Sequence, residues 1–167
     1  MQRPAAAVRR VACVGLSSIG GGLACHFLRS GLDVVCWDPA PDAAERLRRT
    51  VDAKWPLMER LGLAPGASPH RWSLASSLEH AVAEAEFVQE SVPEVLQIKQ
   101  DTFATIDLLA DPSVVIASAT SGLLPTDMFA DCTNAPERCV VAHPFHPAYL
   151  VQFYDFHDFS LILTIFC

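Results

Sequence analysis

Residues 11–20 read VACVGLSSIG, a short apolar run that ends in a glycine turn. The four apolar residues Val11 to Val14 are typical of a strand that is covered on both faces in a parallel sheet. Gly15 ends this run, and helical spacing then continues from about Ile19 to Arg29. A second apolar strand, Leu32 to Trp37, comes next. The stretch therefore predicts one strand–helix–strand unit with a parallel pair of strands.

The same alternation of short apolar runs and amphipathic segments continues along the chain. Further strands are predicted over residues 87–89, 114–117 and 139–142, and further helices over residues 41–61, 77–85, 93–109 and 124–130. Alternating strands and helices with right-handed crossovers form a doubly wound, mostly parallel α/β sheet. We therefore predict one such domain over residues 1–150. Residues 151–167 are rich in phenylalanine and are predicted to be an atypical apolar tail.

Length, charge and composition exclude several classes of protein. A chain of 167 residues can bury one sizeable core but not two domains of ordinary size. The net charge of -7 argues against nucleic acid as a partner. The cysteines and histidines show no metal-ligand spacing, so no metal is expected. The longest apolar run is too short to cross a bilayer and no secretory signal precedes it, so we expect a cytoplasmic protein without a membrane partner.

The glycine turn has the position and spacing of a dinucleotide-binding fingerprint. In that motif the first glycine allows the tight turn, the second lets the backbone approach the pyrophosphate and the third allows close helix–strand packing. Here Ser17 replaces the second glycine, which weakens the motif. The residues predicted to contact a dinucleotide are Gly15, Ser17, Ser18, Ile19 and Gly20. A glycine-rich turn that binds no ligand remains the alternative.

Asp38 ends the second predicted strand, about 20 residues after the glycine turn, where a carboxylate can accept hydrogen bonds from the adenosine ribose. The next three residues, Pro39 to Pro41, include no arginine that could bind a 2'-phosphate. NAD is therefore predicted as the cofactor in preference to NADP. An aspartate that serves only as a turn residue before proline is the alternative.

Several segments together resemble the 3-hydroxyacyl-CoA dehydrogenase family, whose members oxidise a secondary alcohol with NAD. The resemblance covers about residues 10–150, and its segments are residues 31–41, 55–56, 61–67, 89–91, 121–125 and 136–139. It implies a Rossmann fold, NAD as cofactor and hydride transfer from a small 3-hydroxy acid. These segments are most similar to family members that oxidise L-carnitine to 3-dehydrocarnitine. Family members that act on a 3-hydroxyacyl-CoA or on gulonate provide the alternative enzyme hypothesis.

The resemblance also implies roles for individual residues. Glu94 and Lys99 match a Glu-x-x-x-x-Lys element near the cofactor and substrate, and Ser121 matches the serine that hydrogen-bonds the reacting hydroxyl. His143 matches the catalytic histidine, whose ordinary pKa suits a general base that takes the hydroxyl proton. The structural alternatives are an exposed pair on a solvated helix for Glu94 and Lys99, a helix N-cap for Ser121 and a structural histidine at a strand end.

Two positions depart from the family pattern. His146 stands where the family has asparagine, and Asp155 stands where the family has a glutamate that orients the histidine. In the family a further catalytic asparagine, most of the substrate pocket and the dimer interface belong to a helical second domain. These 167 residues have no counterpart of that domain, so we expect a truncated chain that oxidises little carnitine by itself. Full-length relatives are expected to be homodimers, whereas the oligomeric state of this chain stays open. A non-catalytic remnant that binds nucleotide or a protein partner is the third hypothesis.

Overall fold

A central sheet and its flanking helices account for most of the described chain. The computed structural model describes residues 8–145 and 147–149 and the backbone of residues 154–157. The strands are β1 (Arg10–Val14), β2 (Asp33–Trp37), β3 (Trp72–Leu74), β4 (Phe87–Glu90), β5 (Val115–Ser118), β6 (Cys139–Pro144) and β7 (Tyr154–His157). The helices are α1 (Ser18–Arg29), α2 (Ala43–Leu61), α3 (Leu78–Val82), α4 (Leu96–Leu109) and α5 (Pro125–Met128), and a 3-10 turn covers Pro136–Arg138.

The strand order β3-β2-β1-β4-β5-β6-β7 sets the position of the site. The first six strands are parallel, and β7 is antiparallel to β6. The chain winds outward from β1 to β3 and then returns to the centre to form β4 beside β1. In such sheets ligands bind at this switch point, outside the carboxyl ends of the strands. The doubly wound, mostly parallel α/β fold predicted from the sequence is confirmed.

Two apolar layers form the core, one on each face of the sheet. Val11 and Cys13 of β1 pack in the layer that contains α1 and α2, whereas Ala12 and Val14 pack in the layer that contains α3 and α4. Successive side chains of a strand point to opposite faces of the sheet. Residues 11–14 of β1 must therefore all be apolar for both faces of the strand to be covered. This explains the continuous apolar run before Gly15. None of the helices within the described ranges combines the length and apolar character that a membrane span requires.

The structure differs from the sequence prediction at several elements. Strand β3 was not predicted because it has only three residues and lies near the edge of the sheet, with Trp72 half-buried and the next two residues exposed. Strand β7 was not predicted either. Helix α4 begins at Leu96 rather than Pro93, because the amide of Val95 donates to the carbonyl of Pro93 in a preceding turn.

Candidate active site

The glycine turn after β1 packs directly against the chain that leaves β4. Gly15 has a φ of 88°, and a Cβ atom there would lie 2.7 Å from the carbonyl carbon of Ser91. A Cβ atom on Gly20 would lie 1.9 Å from the carbonyl oxygen of Gly15. Both positions therefore require glycine. As in the fingerprint, the first glycine allows the tight turn and the last allows the helix to pack closely on the strand.

The serine at the middle position of the fingerprint causes no backbone strain. Ser17 is the N-cap of α1, with a φ of -66°, and its side chain makes no capping hydrogen bond. Its side chain and that of Ser18 are exposed. The first amides of a helix carry partial positive charge and bind phosphate groups. The start of α1 therefore presents a surface suited to a pyrophosphate despite the replaced glycine.

A cavity of about 240 Å³ lies beside this helix start and is lined by residues that include Ser17, Ile19, Ser91, Lys99 and Ser121. The Ser91 side chain is buried, and its Oγ has no hydrogen-bond partner among the described residues. A buried hydroxyl without a partner costs free energy that a bound ligand can recover. The close approach at Gly15, the helix start and this hydroxyl together fit a dinucleotide cofactor.

Asp38 connects the end of β2 to the glycine turn. Its Oδ2 accepts a 2.7 Å hydrogen bond from the amide of Leu16, and its Oδ1 accepts one of 2.9 Å from the amide of Ala40. Pro39 to Pro41 include no arginine, but the fold brings one to Asp38 from further along the chain. Helix α2 brings Arg46 Nη2 to 3.2 Å from Asp38 Oδ1, and Arg46 Nε is 3.3 Å from Asp42 Oδ1. The arginine is therefore already paired with two carboxylates.

Lys99 and Glu94 lie at the base of the cofactor cavity and not on a solvated helix face. Lys99 is only 1% exposed, and its Nζ lies 2.8 Å from Glu90 Oε1 and 3.5 Å from Glu94 Oε2. The alternative of an exposed helix pair is therefore excluded for Lys99.

Glu94 also fastens the loop that carries Ser121. Its Oε1 accepts hydrogen bonds from Thr120 Oγ1 at 2.5 Å, from the amide of Ser121 at 3.0 Å and from the amide of Gly122 at 3.1 Å. Burial acts to raise the pKa of Glu94, but these hydrogen bonds and the nearby Lys99 outweigh it, so the pKa lies below its ordinary value. Glu94 thus holds the Ser121 loop as a carboxylate.

Ser121 lies between two cavities. It lines the cofactor cavity and also a second cavity of about 360 Å³, to which His143, Val141 and Leu124 contribute. Ser121 does not cap α5, because the N-cap of that helix is Leu124. The structure therefore brings Ser121 and His143 to one cavity, as their predicted roles require.

His143 lies near the end of β6 and is half-buried. Its ring centroid is 6.0 Å from that of Phe145. In the antiparallel pairing of β6 with β7, the backbone of His143 is opposite Asp155. The side chain of Asp155 and the whole of His146 lie outside the described residues, so an orienting role for Asp155 stays a prediction.

Sequence reasoning did not identify Glu90 as part of the site. It is the last residue of β4 and is completely buried. Its Oε1 accepts from Lys99 Nζ at 2.8 Å and from the amide of Val92 at 2.6 Å, and its Oε2 accepts from Ser118 Oγ at 2.5 Å. The sequence signal that could have identified Glu90 is an acidic residue at the end of an apolar strand. Within the described part of the chain, no group of three or more potential ligands could hold a metal ion.

Comparisons with known proteins agree with this geometry. Residues 10–155 match the model of the 3-hydroxyacyl-CoA dehydrogenase, NAD binding domain. The chain is 57% identical over 144 residues to an L-carnitine dehydrogenase of Streptomyces coelicolor, covering 86% of this chain and 45% of that protein. It is 47% identical to one of Pseudomonas putida, covering 86% and 44%. The chain thus spans less than half the length of these relatives.

Solved structures give the same result. The NAD+ dependent dismutase 5-formyl-3-hydroxy-2-methylpyridine 4-carboxylic acid 5-dehydrogenase is 32% identical, with a TM-score of 0.80 over 89% of this chain and 48% of that one. A 3-hydroxybutyryl-CoA dehydrogenase of Escherichia coli is 25% identical, with a TM-score of 0.80 over 90% of this chain and 32% of that one. The family match covers most of the chain and agrees with the cofactor cavity. The chain belongs to the NAD-binding domain family of the 3-hydroxyacyl-CoA dehydrogenases, and its cofactor is NAD.

Proposed function

We propose that this chain is the cofactor-binding part of an enzyme that oxidises L-carnitine to 3-dehydrocarnitine with NAD. The observation that carries the proposal is the position of Ser121, which lines both the cofactor cavity and the cavity that contains His143. A 3-hydroxy acid bound at Ser121 and His143 would have its reacting carbon at the border of the two cavities. The relatives named L-carnitine dehydrogenase support carnitine as that 3-hydroxy acid.

The cofactor-binding residues divide into three groups. Gly15 and Gly20 shape the turn, and the first residues of α1, Ser17, Ser18 and Ile19, face the pyrophosphate. Asp38 accepts hydrogen bonds from the adenosine ribose, as a carboxylate at the end of β2 does in this class of fold. Glu94 and Lys99 line the same cavity as Ser121, which supports assigning them to the nicotinamide end.

The side chains of the second cavity handle the substrate hydroxyl. Ser121 Oγ hydrogen-bonds this hydroxyl, and a ring nitrogen of His143 takes its proton as the C3–H bond breaks. NAD, when bound, supplies the hydride acceptor. The hydride leaves C3 with the bonding electron pair and the hydroxyl becomes a carbonyl, so the reaction is balanced with one proton left on His143. Asp155 is proposed to orient His143 from the neighbouring strand, where its backbone lies opposite.

The proposal extends to location and partners. The location proposed is the cytoplasm, and the partner proposed is a small 3-hydroxy acid as substrate. The net charge of -7 disfavours nucleic acid as a further partner. A homodimer is proposed for the full-length relatives, as the resemblance implies.

Single-turnover assays with protein in excess over substrate can detect even weak NADH formation. We expect NADH to form with L-carnitine and the rate to fall by about 10²–10⁴-fold in His143→Ala, because a positioned general base contributes about this much. His70→Ala, which removes an exposed histidine far from His143 in the sequence, is the matched control and should keep the wild-type rate.

The same assay separates the alternatives. Faster turnover of a 3-hydroxyacyl-CoA or of gulonate than of carnitine would favour the alternative enzyme hypothesis. NADH binding without turnover of any of these substrates would favour a non-catalytic nucleotide-binding domain. Failure to bind NADH would contradict the proposal itself.

A further inference from the structure

Glu90 is buried at the switch point of the sheet without lining the cofactor cavity. Its backbone is paired with Val14 of β1 on one side and with Ser118 of β5 on the other, at the carboxyl ends of three central strands. The next residue, Ser91, is the one that approaches Gly15. Glu90 therefore lies directly beneath the turn and cavity that hold the cofactor.

Two of the three residues that donate to the Glu90 carboxylate, Val92 and Lys99, line this cavity. The short hydrogen bond from the amide of Val92 fixes the segment between Ser91 and Glu94. The bond from Lys99 fixes the ammonium group of a residue that lines the cavity, and the third bond comes from Ser118 of β5. Burial raises the pKa of Glu90, and the charge of Lys99 and the hydrogen bonds from Lys99, Ser118 and Val92 oppose that rise.

The burial of this pair does not by itself show that the pair stabilises the fold. Two buried charges lose their hydration, and replacing such a pair by apolar residues is often neutral or stabilising. What distinguishes the Glu90–Lys99 pair is its position, because Lys99 lines the cofactor cavity. An ammonium group there can act on a bound dinucleotide only while it is held in place.

We propose that Glu90 is a positioning residue for the cofactor: it holds Lys99 in place beside the cofactor cavity, and so sets the affinity for NAD(H). This inference rests on the proposed function, since it assumes that the dinucleotide binds beside Lys99. Among the described residues, the charged groups that face the Lys99 ammonium are Glu90 and Glu94. Glu94 is 3.5 Å away and its side chain is 43% exposed, so Glu90 is the stronger partner.

The test is NADH affinity, measured by fluorescence titration at neutral pH. In Glu90→Gln the Lys99 ammonium loses its nearer charged partner and is no longer held in place beside the cavity. We expect the Kd for NADH to rise about tenfold. Glu59→Gln removes the same charge from an exposed position of α2 and should match the wild type.

A double-mutant cycle with Lys99→Met separates positioning from a general structural role. If Glu90 acts through Lys99, then Glu90→Gln should have little further effect on NADH affinity in the Lys99→Met background. If Glu90→Gln weakens NADH binding by the same factor in both backgrounds, the proposal is wrong. A Glu90→Gln variant with wild-type NADH affinity would also overturn it.

Glu90→Gln leaves an ammonium buried beside a neutral partner, so it can impair folding. Glu90→Asp keeps the charge but shortens the side chain by a methylene group, and should weaken NADH binding less than Glu90→Gln does. Unchanged affinity in Glu90→Asp would overturn the proposal. A wild-type chain that fails to bind NADH would instead contradict the proposed function, so the two failures are distinguishable.

Discussion

Helix α4 contributes to two buried ion pairs that lie at opposite ends of the sheet. Near its start, Lys99 pairs with Glu90 at the carboxyl ends of the strands, beside the cofactor cavity. Near its end, Asp107 pairs with Arg138 at 3.0 Å, close to where β5 and β6 begin. Both pairs are almost completely removed from solvent.

The partners of the two pairs differ in kind. The Asp107 carboxylate also accepts from the amides of Asn134 at 2.7 Å and Ala135 at 3.1 Å. Arg138 donates to the carbonyls of Asp107 and Ala110 and of nearby residues between α4 and β5. Neither Asp107 nor Arg138 lines the two cavities described above. Of the two buried pairs, only the one that contains Lys99 borders a space that a ligand can occupy.

The largest expected effect is on folding, at the pair that borders no cavity. Asp107→Asn leaves the Arg138 guanidinium buried without its counter-charge, which should cost about 3–5 kcal/mol of the free energy of unfolding. The NADH affinity of the folded protein should not change. Urea unfolding and fluorescence titration measure the two quantities. Asp101→Asn, on an exposed position of the same helix, is the control and should lie within about 0.5 kcal/mol of the wild type. A large loss of NADH affinity in folded Asp107→Asn would remove the distinction between the pairs.

The second effect tests the cavity end of the sheet. Gly20→Ala places a Cβ atom 1.9 Å from the carbonyl oxygen of Gly15, so α1 must move away from the turn. We expect a loss of about 3 kcal/mol of stability together with loss of NADH binding, both from one methyl group. Gly22→Ala is the matched control, because its Cβ atom would lie 3.6 Å from Tyr149 Cδ1, an ordinary contact. Similar stability and NADH affinity in the two variants would contradict the packing that the structure gives for the fingerprint.

The third effect concerns cofactor preference. Asp38→Ala removes a carboxylate that would repel a 2'-phosphate and releases Arg46 from one of its two partners. NADH affinity should fall about tenfold with the loss of the ribose hydrogen bonds, and the preference over NADPH should shrink. Calorimetric titration with both cofactors measures this. Asp42→Ala, which removes the other partner of Arg46, should keep the preference. Equal binding of NADH and NADPH by the wild type would show that Asp38 does not select the cofactor.

The smallest effect is the response of the two pairs to acid. Burial raises the pKa of Asp107, but hydrogen bonds from Asn134, Arg138 and Ala135 outweigh it and hold the pKa below its ordinary value. The unfolded chain then binds more protons below about pH 4, so this contribution to stability is lost as the pH falls. Glu90, whose pKa is raised, has the opposite sign, because the folded chain binds the extra proton. Stability measured against pH should therefore fall less steeply in acid for Asp107→Asn and more steeply for Glu90→Gln. The same slope in both variants would contradict these directions.

The sequence was sufficient to predict the central strands and the residues that directly follow them. Covered parallel strands have a continuous apolar pattern, which located β1 and β2 and therefore Gly15 and Asp38. The three-residue strand β3 gave no such pattern, since its place is determined by backbone pairing with β2. Arg46 was missed because α2 returns it to Asp38 from eight residues further along the chain.

The candidate site was also only partly predictable, because some of its contacts join residues that are distant in the sequence. Ser121 and His143 each lie in or close to a segment that resembles a known family, so the local sequence was enough to identify them. The Glu90 site requires three elements to converge, because β4 supplies the carboxylate, α4 the ammonium and β5 the hydroxyl of Ser118. No local sequence pattern predicts that these three side chains lie together. Their proximity becomes apparent only from the parallel register, which places Glu90 opposite Ser118.

Helix α4 also constrains how this family can diverge in length. Lys99 and Asp107 are on the same buried stripe as Phe103 and Ile106, and each end of that stripe is fixed by a charge from another element. A residue inserted between them would rotate one end by about 100° relative to the other and shift it by about 1.5 Å. Either the ammonium or the carboxylate would then leave its partner. An insertion or deletion between residues 99 and 107 should therefore break one of the two ion pairs.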